Sequence, residues 1–170
     1  MKEIIGNIFD LMLTPEVDSI CITTNGIIGN DGRAIMGAGV AGEAARRWST
    51  VRARLGKALK TFGNLPYVIG MINLEGDFQD TDASLIKDKK YRCLVWSFPT
   101  KNDFRFKSDI ELIKKSAKLM AEHADTFELK QVALPRPGCS NGKLDWKTVK
   151  TEIENILDDR FVIVSFDSEN

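Results

Sequence analysis

The chain has 170 residues, 43% of them hydrophobic and 28% charged, and its 24 basic and 24 acidic residues cancel. That length suits one domain over residues 1–170 with a true core. The balanced charge is unlike a dedicated nucleic-acid binder, no apolar run is long enough to span a bilayer, and the first seven residues lack the apolar stretch of a signal peptide.

In chain order, residues 2–10 read as a strand broken at Gly6-Asn7, and 18–24 as a buried, β-branched strand. Residues 39–48 and 50–62 predict helices, the second closed by Gly63-Asn64. A strand follows at 67–74, then a polar hairpin or loop at 75–90, then a strand at 91–98. Ser108 is the expected N-cap of an amphipathic helix to His123, which would close it as a C-terminal dipole partner. A short strand at 131–134, a helix capped by Asp145 and a buried strand at 161–166 complete the pattern, with 167–170 a frayed tail. Strands alternating with helices predict an α/β fold in which helices cover both faces of a mixed, mostly parallel sheet. Trp48, Trp96 and Trp146 fall on apolar faces and read as core, as do the thiols Cys21 and Cys93.

Two loops carry the chemistry. Six glycines crowd the stretch Gly26–Gly42, which joins the second strand to a helix. Such a loop lets backbone approach a ligand closely, and the helix start offers N–H groups to a phosphate. Pro135-Arg136-Pro137-Gly138-Cys139-Ser140-Asn141-Gly142 is a second loop of this kind between a strand and a helix. Together they predict a diphosphate gripped from two sides. Within the first loop, Asn30-Asp31-Gly32 signals a tight turn, either a lid or an extension of the strand pair.

The motifs Gly6-Asn7-Ile8-Phe9, Asn25, Met36-Gly37-Ala38-Gly39-Val40-Ala41, Phe98-Pro99-Thr100-Lys101 and Leu134 to Trp146 are similar, in this order, to those of macrodomains, the ADP-ribose-binding family. They look most like the branch of the terminal ADP-ribose protein glycohydrolase and the antitoxin that removes ADP-ribose from DNA. The resemblance implies a three-layer α/β/α macrodomain that binds ADP-ribose and hydrolyses it from DNA or protein, with no cofactor. Asn7 and Ile8 then match the adenine contact, with asparagine in place of the family's aspartate. Asn25 matches a residue near the distal ribose, Met36 to Ala41 the first phosphate loop, and Pro137, Gly138, Cys139, Ser140, Asn141 and Gly142 the second. Phe166 is a candidate to stack on adenine.

Lys101 matches the branch's catalytic lysine. A neutral lysine amine can attack the anomeric carbon or form an imine with the open-chain sugar. The acid that protein-directed members carry in the second loop is replaced here by Gly142, with Asp145 three residues on. Two alternatives stand beside the hydrolase: an ADP-ribose 1″-phosphate phosphatase and a binding module without turnover. Cys139 is a minor candidate nucleophile. Six basic residues and no acid between Ala44 and Lys60 read as a solvated face, or as nucleic-acid contact through Arg46, Arg47, Arg52 and Arg54. Three cysteines without metal-ligand spacing and a single histidine argue against a metal site and fit the cytoplasm.

Overall fold

The structure is a computed structural model that describes residues 1–166, so the tail expected to fray lies outside the described residues. The strands are β1 (Lys2–Ile5), β2 (Ser19–Asn25), β3 (Val68–Ile72), β4 (Phe78–Gln79), β5 (Cys93–Lys101), β6 (Val132–Pro135) and β7 (Phe161–Ser165). The helices are α1 (Ile8–Leu11), α2 (Gly39–Arg47), α3 (Val51–Phe62), α4 (Ala83–Lys87), α5 (Ile110–Thr126) and α6 (Trp146–Ile153). The strands form one seven-stranded sheet in the order β1-β7-β6-β2-β5-β3-β4. Pairing is parallel from β1 to β5, and β3 and β4 add antiparallel at that edge.

The pleat sorts side chains into two cores. Ile20, Ile22, Val95, Ala133 and Val162 face one layer, where they meet Phe9, Ala44, Trp48, Leu55 and Leu59 of α1 to α3 and the residues beside them. Cys21, Leu94, Trp96, Val132, Leu134 and Ile163 face the other, against Ile113, Met120, Trp146 and Val149 of α5 and α6. Strands buried on both faces explain why their sequences are continuously apolar. This is the three-layer arrangement expected. Among the described residues, no helix is long and apolar enough to cross a membrane.

Several local readings change. Residues 8–11 are helical because Asn7 Oδ1 accepts from the Phe9 N–H at 2.9 Å, so the Gly6-Asn7 break is an N-cap rather than a strand irregularity. The cap of α5 is Asp109, whose carboxylate accepts from the Glu111 and Leu112 amides; Ser108 is buried one residue earlier. His123 lies in the last turn of α5, but its ring stacks on Trp96 at 5.0 Å and burial holds its pKa below the ordinary value. It packs as an aromatic group instead of acting as a cation at the helix end. The polar stretch 75–90 contains β4 and α4, the latter capped by Asp82.

The lengthened first loop forms a tight turn clamped to α3. Ile28 bridges Ala34, and Ala34 exchanges bonds with Arg52, giving its N–H to the Arg52 carbonyl at 2.9 Å and accepting from Arg52 Nε at 3.0 Å. A Cβ at Gly56 would lie 2.2 Å from the Gly32 carbonyl oxygen. Glycine is therefore required for this contact even though alanine favours the helix by about 1 kcal/mol. Gly56→Ala is expected to lower stability by about 1–3 kcal/mol in urea unfolding, as overpacking does, while Lys57→Ala stays within about 0.5 kcal/mol. A stabilised Gly56→Ala would show that the turn is not docked as described.

Candidate functional site

β2 and β5 are neighbours, but the chain leaves β2 for helices on one face of the sheet and leaves β5 for α5 on the other. Connections that part in this way open a crevice at the strands' carboxyl ends. The crevice here holds a cavity of about 490 Å³, lined among others by Asn25, Met36 to Ala41, Lys101, and Gly138 to Gly142 without a gap. A second cavity, of about 600 Å³, adjoins it and shares Val40, Pro135, Arg136, Cys139 and Ser140 with it.

A register slip between Thr24 and Asn25 places Asn25 directly across from Lys101 on the paired strands. The Asn25 side chain organises the first loop: Nδ2 donates to the Ile35 carbonyl at 2.8 Å, and Oδ1 accepts from the Ile27 N–H at 3.0 Å. Each amide atom keeps one further bonding position. Lys101 Nζ donates across the cavity to the Asn141 carbonyl at 3.0 Å, while Asn64 Nδ2 donates to the Lys101 carbonyl at 2.9 Å.

The two glycine loops meet at Gly39 and Asn141. Gly39 has φ +55°, and a Cβ there would lie 2.9 Å from Asn141 Nδ2. Ala38 caps α2 without a side-chain bond, and the first turn carries no acid. The leading N–H groups of α2 thus face the cavity with partial positive charge, a setting that favours an anion. Gly142 is closely packed, since a Cβ would lie 2.1 Å from the Gly138 carbonyl oxygen and 2.2 Å from Ser108 Oγ. No acid fits at that position without displacing the loop. Asp145, the nearest candidate, accepts from both Thr148 N and Thr148 Oγ1 as the cap of α6. Among the described residues, those lining the first cavity include no carboxylate and no imidazole.

The remaining candidates separate. Phe166 lines the second cavity with Leu144 and Trp146 and is 70% exposed. Asn7 and Ile8 line neither cavity: Asn7 caps α1, and Ile8 is buried in the core. Pro137 is buried behind the second loop. None of the four arginines lines either cavity. Arg47 pairs with Glu43 and lies 4.6 Å from the Phe9 ring centroid, Arg52 holds Ala34, and Arg54 pairs with Asp80 and covers Phe78.

Among the lining residues that sequence reading passed over are Arg136, Thr24, Ser108 and Phe104. Arg136 lies between the two cavities, 14% exposed, within 3.6 Å of Glu3 and over the Trp146 ring. Glu3 itself is held below the ordinary carboxylate range, chiefly by its hydrogen bond from Lys150. Thr24 and Ser108 line the first cavity with buried hydroxyls that find no hydrogen-bond partner among the described residues, as groups at ligand sites often do. Phe104 lines the rim while 46% exposed. Its one available signal was an aromatic residue inside a polar, charged loop.

No family model matches the chain. A stretch of 64 residues is 31% identical to a DNA ADP-ribosyl glycohydrolase of Thermus aquaticus, covering 38% of this chain and 18% of that protein. The match therefore spans less than a fifth of the curated relative. Over nearly the whole chain, the structure is similar to the macrodomain of Thermus aquaticus DarG, with TM-score 0.67, 23% identity, and 96% and 95% of the two chains covered. The chain has the macrodomain fold. Thermosipho africanus DarTG, solved in complex with ADP-ribose, is similar at TM-score 0.69 and 20% identity over 96% of this chain and 41% of that one. The Mycobacterium tuberculosis DarG macrodomain follows at TM-score 0.65 and 20% identity, over 95% and 97% of the two chains.

Within this macrodomain, Cys139 sits in the second loop, and burial pushes its thiol up to about 11 despite the opposing pull of Arg136. A thiol so raised stays protonated near neutrality, which removes it as a nucleophile. Iodoacetamide labelling of Cys139, followed by mass spectrometry, is expected to be more than about tenfold slower at neutral pH than labelling of an ordinary thiol, with the rate still rising at mildly alkaline pH. Labelling that levels off near pH 7 would restore the nucleophile reading.

Proposed function

We propose that this macrodomain binds ADP-ribose along the two adjoining cavities and hydrolyses it from a modified macromolecule. The observation that carries this reading is the pairing of Asn25 with Lys101 at the foot of a crevice walled by two glycine loops. Both cavities have the volume usual for ligand sites. The diphosphate lies between the N-terminus of α2 and the loop Gly138–Gly142, near Arg136. Adenine occupies the second cavity, where Phe166 can stack on it. The distal ribose rests over Asn25, whose spare amide hydrogen and lone pair suit a sugar hydroxyl. Names borne by similar proteins, a DNA ADP-ribosyl glycohydrolase and a DarTG complex with ADP-ribose, agree with this ligand.

The hydrolysis breaks the bond at the anomeric carbon, and water supplies a hydroxyl to that carbon and a proton to the leaving group. Lys101 is the residue placed to act first. Its hydrogen bond to the Asn141 carbonyl holds Nζ at the cavity, where the amine meets the anomeric carbon. Attack forms a carbon–nitrogen bond as the macromolecule departs with a proton, and water then frees ADP-ribose and restores the amine. We place this activity in the cytoplasm, which suits three free cysteines. Nucleic acid is the favoured substrate, supported by the acid-free second loop.

The lack of a carboxylate among the described residues that line the first cavity also supports a second reading, a module that binds without turnover. The test offers ADP-ribosylated DNA, ADP-ribosylated glutamate and serine peptides, and ADP-ribose 1″-phosphate, and analyses the products. Free ADP-ribose from DNA is expected, with a loss of about 10²–10⁴-fold in Lys101→Ala, the range typical for a positioned catalytic side chain. Inorganic phosphate would support the phosphatase. No product, with heat on titrating ADP-ribose, would support the binding module, and no heat would reject the ligand.

A further inference from the structure

The segment that begins at the cavity lysine, Lys101-Asn102-Asp103-Phe104-Arg105-Phe106-Lys107, carries two phenylalanines that the chemistry above does not use. Phe104 is 46% exposed and Phe106 68%, and neither belongs to the two cores or packs against them. Leaving such rings in water forgoes the large apolar burial that aromatic side chains usually supply. Phe104 also lines the cavity rim with Lys101 and Asn141.

The loop presenting these rings is anchored at both ends. Gly26 N–H donates to the Asn102 carbonyl at 3.2 Å, Ser108 N–H to the Gly142 carbonyl at 3.0 Å, and Asp109 N–H to the Thr100 carbonyl at 2.9 Å. Between the anchors, Asp103 Oδ1 accepts from the Arg105 N–H at 2.9 Å, and the Phe106 N–H donates to the Asp103 carbonyl at 3.2 Å. Asp103 also grips the Arg105 guanidinium at 3.0, 3.1 and 2.5 Å, and that guanidinium lies 6.0 Å from the Phe104 ring centroid. The segment's single carboxylate is thus matched by Arg105, and Lys107 leaves the exposed part of the loop with a surplus positive charge. Exposed rings interleaved with cations on a fixed backbone are the physical requirement for binding unpaired bases: the rings offer faces for stacking, and the cations meet the phosphates.

We propose that Phe104 and Phe106 form a stacking platform at the cavity mouth for the unpaired bases of a single-stranded nucleic acid that carries the ADP-ribosyl group. This rests on reading the cavity as an ADP-ribose site. The base nearest the sugar stacks on Phe104, on the face that Arg105 does not cover. The next base stacks on Phe106, and the strand's phosphates lie beside Arg105 and Lys107. A duplex, whose bases already stack on one another, has none to offer.

The test titrates the full chain with fluorescein-labelled single-stranded oligothymidine and with a duplex of equal length, read by anisotropy, and titrates ADP-ribose separately by calorimetry. The single strand is expected to bind better than the duplex. Phe106→Ala and Phe104→Ala are each expected to weaken single-strand binding by about 5- to 150-fold, the range of one base–aromatic stack. Phe106→Trp should preserve binding, whereas Phe106→Leu, which keeps apolar surface without a stacking face, should not. Thermal melting of Phe106→Ala should match the parent, because the ring lies outside the core. The proposal is overturned by an oligonucleotide that does not bind at millimolar protein, by equal binding of duplex and single strand, or by a leucine variant as good as phenylalanine. Oligonucleotide binding that depends on the rings, without heat from ADP-ribose, would keep the platform and reject the cavity's ligand; heat without oligonucleotide binding would do the reverse.

Discussion

Pro99 stands inside β5, where it has no N–H to give the sheet, and prolines within a sheet are tolerated at irregularities of this kind. The pairing accommodates it with a slip: Thr24 pairs with Pro99, Thr100 is passed over, and Asn25 meets Lys101. Without that slip Asn25 would face Thr100. Much of the site hangs from this one register. Asn25 ties down the first loop through Ile27 and Ile35, and Lys101 reaches the second loop at Asn141. Two loops more than 100 residues apart are thereby joined through side chains on adjacent strands.

The closeness of the loops is a backbone property. Gly39 and Gly142 sit where any side chain would strike Asn141, Gly138 or Ser108. Such packing fixes the distance between the N–H groups of α2 and the second loop, which suits a ligand gripped from both sides. The same packing excludes an acid from position 142, so the lack of a carboxylate among the described residues of the first cavity follows from steric crowding as much as from sequence choice.

Charge is divided by role. Arg47, Arg52 and Arg54 bind their own protein: a neighbouring carboxylate, a loop carbonyl or an aromatic ring. They sit on α2 and α3, away from the cavity lining. The cations that line the cavities come from elsewhere, among them Arg136 in the second loop and Lys101 at the end of β5. A basic run in the sequence and a basic patch beside the site are thus different groups of residues here.

The sequence by itself determined the alternation of strands and helices that builds the layers, both glycine loops and the capping role of Asp145. Each rests on a local signal: apolar runs bounded by turn residues, glycine density, or a carboxylate three residues before an amide it can reach. Residues 8–11 escaped because a one-turn helix is too short for periodicity to show, and Asn7 became its cap. Ser108 was misread by one residue because serine and aspartate, adjacent here, cap equally well. Only the tertiary structure decided that Asn25 faces Lys101, that Ser108 lies buried under Gly142, and that Arg136 separates the two cavities while the arginines of α2 and α3 stand apart. Those facts depend on strand register and on contacts between residues dozens of positions apart, and no local pattern of side chains encodes either.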